Sequence, residues 1–156
     1  MEAALAAIEG AGVAQYFRGA RWGYAALNAA HVLGLALLVG AVLPLDLRLL
    51  GFWRGVDRAG MVRVLVPCAA AGLTLAVAAG LLLFSVRAGH YADLDIFRIK
   101  LLLILAGAAA AIALHLRHGL LLQSAPQRTL RMHAILSMTC WLGALVCGRL
   151  IAFMGP

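Results

Sequence analysis

Long apolar runs and short polar connections alternate along this chain. Three runs reach the roughly 20 residues that a membrane span needs: 22–45 (WGYAALNAAHVLGLALLVGAVLPL), 64–86 (VLVPCAAAGLTLAVAAGLLLFSV) and 133–154, which carries AILSMTCWLGALVCGRLIAFM. A fourth, LLLILAGAAAAIALHL, is shorter and extends to 97–118. Most charges lie in the connections DLRLLGFWRGVDRAGMVR, RAGHYADLDIFRIK and RHGLLLQSAPQRTLRMH. Backbone polar groups in lipid must be satisfied within the segment, and no alternating strand pattern suggests a barrel, so the runs are expected to be helices. The expected fold class is all-α: an integral membrane four-helix bundle, up-down-up-down, forming one domain over 1–156. Leu5, Ile8, Val13 and Tyr16 or Phe17 give residues 2–17 an apolar face, expected to lie on the membrane surface as a short interfacial helix. Pro44 and Pro67 are read as near span ends, where a missing N–H costs little. Gly72, Ala76, Ala79 and Gly80 on the second span, and Gly107 and Ala111 on the third, allow close helix approach.

Composition strengthens this picture. The chain is 65% hydrophobic and 12% charged, far from the balance of a soluble domain. Its net charge of +7 is read as topology and headgroup contact rather than nucleic-acid binding. The first and third connections hold seven of the basic residues and the other side holds six. That count places both termini outside, and the expected location is a bacterial inner membrane with both termini in the periplasm. Cys68, Cys140 and Cys147 lie in apolar runs without a CxxC, so a disulfide framework is not expected.

Polar residues inside spans are the functional candidates. At about 1.5 Å per residue, His31 lies about 14 Å from the outer end of its span and His115 about 27 Å from the same side. One metal ion is not expected to join them. Two clusters are expected instead: an outer one of Asn28, His31, Lys100 and Arg149, and an inner one of His115, His118 and His133 with Met138 nearby. On the third span Lys100, Ile104, Gly107, Ala111, His115 and His118 form one stripe; on the fourth, His133, Ser137, Cys140, Ala144 and Cys147 form another. Simpler roles stand beside these: His115, His118 and His133 as interfacial residues, Lys100 and Arg149 snorkelling, Met138 packing, and His31 bonded to a neighbouring helix carbonyl. All six acids lie in the tail or near span ends. An intramembrane carboxylate pathway is therefore disfavoured, and no hydrolytic motif is present.

The segments HVLGLALLVGAVLPLDLRLLG, PCAAAGLTLAVAAGLLLF and HYADLDIFRIKLLLILAGAAAAIALH resemble an uncharacterised bacterial family of small four-helix membrane proteins, over about residues 21–153. The layout is similar, more distantly, to the copper-resistance membrane proteins of CopD type and to the haem-binding protoporphyrinogen oxidases of HemJ type. The latter pair an early-span His with a Lys opening a later span, which would fall on His31 and Lys100. They carry Trp and His before that Lys, where this chain has IFRIK, so the oxidase activity is not carried over.

Three functions follow. The leading one is a b-type haem protein transferring electrons in the membrane, with quinone or another redox subunit as partner. Here His31, His115 and His133 are iron ligands for one or two haems, and Lys100 and Arg149 are partners for propionates. The second is copper handling through His31, Cys140, Cys147 and Met138, with His118 a weaker metal candidate. The third is a cofactor-free subunit of a larger complex or homo-oligomer.

Overall fold

The computed structural model describes residues 2–153, and all its regular elements are helical. Two short helices, α1 (Glu2–Gly10) and α2 (Gly12–Gly19), precede α3 (Arg21–Leu50) and α4 (Arg58–Val86); the small α5 (Ala88–Asp93) leads to α6 (Asp95–His118) and α7 (Gln127–Ile151). α3, α4, α6 and α7 are each long and apolar enough to cross a membrane. Successive long helices run in opposite directions as a four-helix bundle, so this is a multi-pass membrane protein.

Helix ends differ from the apolar runs because capping, not hydropathy, sets them. α3 continues five residues beyond 45, through Asp46 and Arg48, and stops where Gly51 adopts φ +114°. Gly51 N–H then donates to Arg48 O at 3.2 Å and Phe52 N–H to Leu47 O at 3.1 Å, a glycine-dependent stop. α4 starts early because the Asp57 carboxylate accepts from the N–H groups of Ala59 (3.2 Å) and Gly60 (2.7 Å), as an N-cap should. α7 starts at Gln127 rather than 133, directly after Pro126 and without a side-chain cap, and Met154 lies outside the described residues. Pro44 and Pro67 correct the expectation of span ends: both are inside helices that run through them.

The interfacial helix expected over 2–17 is instead two helices broken at Ala11, which is extended at ψ 140°. They dock onto the bundle. Arg18 donates to Val86 O at 2.6 Å, Glu9 accepts from Gly89 N–H at 2.8 Å, and Ala14 is fully buried.

In the bundle, α3 packs between α4 and α7, and α7 packs against α6. No Cα of α4 comes within 8 Å of one in α6, nor does α3 approach α6 that closely. The α3–α4 contact is backbone on backbone: a Cβ on Gly34 would stand 2.5 Å from Ala76 N, and one on Gly72 2.5 Å from Leu38 N. On α6 and α7, Gly107 receives the side chains of Trp141 and Cys140. α6 turns Leu102, Leu105, Ile112 and Leu116 outward, each at least 60% exposed, as a lipid-facing surface requires. The apolar core is concentrated near the α3–α4 and α6–α7 connections, where Leu45, Leu49, Val62, Leu114, Leu122 and Leu130 pack together. We call this the loop half; the half carrying α1, α2 and α5 is the terminal half.

Candidate functional site

His31 sits one turn before Gly34 on α3. Because Gly34 and Gly72 let the two backbones meet, the imidazole reaches α4 directly. Its Nδ1 lies 2.8 Å from Ala76 O, the bond to a neighbouring helix carbonyl expected of the simpler role for His31. A carbonyl can only accept, so Nδ1 carries the proton and donates it. Nε2 is left with its lone pair. Gly80 makes room for the ring: a Cβ there would stand 3.1 Å from His31 Cε1 and 3.3 Å from Nδ1.

Lys100 approaches from α6, within electrostatic reach of His31. It passes along α7 at Gly148, where a Cβ would stand 3.6 Å from its Nζ, and Cys147 is within its reach. Side chains alone span the distance between α3 and α6. Three partly buried rings gather in the terminal half: Phe84 stacks on Phe97 at 5.4 Å, and Tyr91 lies 6.4 Å and 5.9 Å from the two. Tyr91 is half-buried beside Tyr24, and both burial and that neighbour push its phenol above the usual range.

The expected outer cluster is thus brought together at His31 and Lys100 only. Asn28 is exposed on α3 and makes no side-chain hydrogen bond, and Arg149 is exposed with its guanidinium 4.6 Å above the Phe153 ring. Both residues lie on outward faces of their helices, which residue depth alone does not reveal.

The loop half holds a second polar group. His115 on α6 and His133 on α7 lie within electrostatic reach of each other, and both are partly buried. His115 Nδ1 is buried without a hydrogen-bond partner. His118 ends α6, its carbonyl accepting from Ser124 Oγ at 3.3 Å, and Met138 is partly buried on α7. One turn beyond His133, Ser137 is 4% exposed and faces Asp46 of α3, which is 2% exposed. Asp46 Oδ2 has no hydrogen-bond partner, and no salt bridge reaches it among the described residues. Asp46 is near the end of α3, as expected, but it points into the bundle. The available signal was its place between Leu45 and Leu49, which continue the stripe Gly34, Leu38, Ala41. Among the described residues, no three His, Cys, Asp or Glu side chains gather as a metal site.

The two stripes read from spacing do face inward. Gly107, Ser137, Cys140 and Ala144 are buried, while Lys100, Ile104, Ala111, His115, His118, His133 and Cys147 are partly so. No protein-family model, curated protein or solved structure matches this chain.

Proposed function

We propose that the protein is a b-type haem protein that moves electrons within the bilayer, with His31 as the residue that would hold the iron. The observation that carries this reading is the 2.8 Å bond from His31 Nδ1 to Ala76 O. Ligating histidines commonly donate their second ring N–H to a carbonyl, which fixes the tautomer and raises the basicity of the free nitrogen. Here the free nitrogen is Nε2, in an apolar setting where an uncommitted imidazole would be costly.

The donor set suits haem. His31 supplies a neutral nitrogen and Lys100 supplies a cation for a carboxylate; Gly80 admits the His31 ring and Gly148 the Lys100 chain. A flat apolar group would enter between α4 and α6, whose Cα atoms do not come within 8 Å of each other, away from the Phe84–Phe97 stack. When bound, haem supplies a one-electron change at iron. The chain's own residues do the rest. Ala76 O orients the ring and Lys100 offers an ammonium. An electron held in the bilayer is suited to exchange with quinone or a second redox subunit.

The test is a reduced-minus-oxidised absorption spectrum of the detergent-purified chain. We expect an α-band at the b-type position, lost or shifted in His31→Ala. A flat spectrum from a sample with full helical circular dichroism overturns the reading, and an unchanged band in His31→Ala overturns the ligand assignment. Haem content unchanged in His115→Ala and His133→Ala is expected for one haem per chain.

A further inference from the structure

The loop face carries a built cationic pocket that the redox reading does not use. Its cavity, about 520 Å³, lies between the α3–α4 and α6–α7 connections and is lined by Arg48, Arg54, Arg58, Gln123 and Gln127, with Asp57 the one acid. Backbone carbonyls hold the three guanidinium groups. Arg48 donates to Val56 O at 2.9 Å and Arg54 O at 3.4 Å, Arg54 to Gly51 O at 3.3 Å, and Arg58 to Leu122 O at 3.1 Å.

This arrangement positions charge without neutralising it. Among the described residues none of the three arginines forms a salt bridge, and both Asp57 oxygens are occupied in capping α4. A guanidinium has five N–H donors, and these bonds engage two of Arg48, one of Arg54 and one of Arg58. The remaining donors serve an anion with several oxygens, and Arg forks match phosphate geometry. Gln123 and Gln127 add neutral polar groups, although Gln127 already donates to Leu49 O at 2.8 Å. The pocket lies where the spans end, at the depth of lipid headgroups.

We propose that Arg48, Arg54 and Arg58 form a binding site for a phosphate group, that of an anionic phospholipid headgroup or of a free phosphate. The site does not depend on the haem reading.

Native mass spectrometry of the full chain, purified with phosphatidylglycerol or with phosphatidylcholine, tests it, together with melting in detergent with inorganic phosphate or with chloride at equal ionic strength. Retention of phosphatidylglycerol over phosphatidylcholine, weakened about tenfold or more in Arg54→Gln/Arg58→Gln, supports a lipid source; the loss follows from removing charged hydrogen bonds. Stabilisation by inorganic phosphate without lipid preference supports a free one. Arg63→Gln/Arg128→Gln lies on the same face outside the pocket and should change neither. An equal loss in that control, or no saturable binding of either probe, overturns the site. Because Arg58 also ties α4 to the α6–α7 connection through Leu122 O, Arg54→Gln alone, which removes one contact to Gly51, is the variant to use if the double variant misfolds.

Discussion

The two halves of the bundle treat their polar groups in opposite ways. In the terminal half the core is thin, the helices meet through glycine and alanine, and His31 has a well-made hydrogen bond while remaining partly exposed. In the loop half large apolar side chains pack closely, yet Asp46 Oδ2 and His115 Nδ1 are buried without partners. A buried polar atom without a partner costs about 1–3 kcal/mol. The loop half therefore tolerates a cost that its dense packing offsets, whereas the terminal half gains stability from its polar group. The lesson is that burial and satisfaction are separate properties. The more buried site is here the less satisfied one.

Substitutions can break that contrast. The largest effect is expected at the shared crossing: Gly72→Val would place side-chain atoms against Leu38 N and Gly34 O. Neither backbone can yield, so we expect a loss of about 3 kcal/mol or more, read as a lowered Tm. The same change would separate His31 from Ala76.

The next two effects should have opposite signs. Asp46→Leu, made in a Ser137→Ala background so that no buried hydroxyl loses its partner, removes an unpartnered polar atom from an apolar setting, and should stabilise by about 1–3 kcal/mol. A Tm that falls would mean that Asp46 holds something the fold needs. His31→Leu removes a made bond and should destabilise by about 1 kcal/mol, compared under identical detergent conditions. Equal signs for the two variants would erase the distinction between the halves.

A smaller effect sharpens the description of the terminal end. The Tyr91 phenol is pushed above the usual range by burial and by Tyr24. The folded state therefore keeps this proton to higher pH than the unfolded chain. Its contribution to stability is complete below the ordinary phenol pKa and is lost as pH rises through the raised value. A tyrosinate absorbance titration should show a late component that Tyr91→Phe removes. Its persistence in that variant would place the strained phenol elsewhere.

Much of this was legible in the residues. Four spans follow from apolar length, because lipid accepts only backbone that satisfies itself. The inward stripes on α6 and α7 follow from the 3.6-residue period, and the separation of His31 from His115 follows from helical rise. Span ends were less legible. Hydropathy stops at Leu45, but the backbone of α3 has no reason to stop before Gly51.

The rest depended on rotation and neighbours. Depth alone grouped Asn28 and Arg149 with His31, but their helices turn both outward. Depth placed Asp46 near a span end, where it is found, but did not show that α3 turns it toward Ser137. Sequence by itself determined that His31 lies deep in an apolar span. Only tertiary structure decided that its Nδ1 meets Ala76 O, because that bond exists where Gly34 and Gly72 bring two backbones into contact. A linear pattern records the period of each helix and the absence of a Cβ; it does not record which surfaces meet.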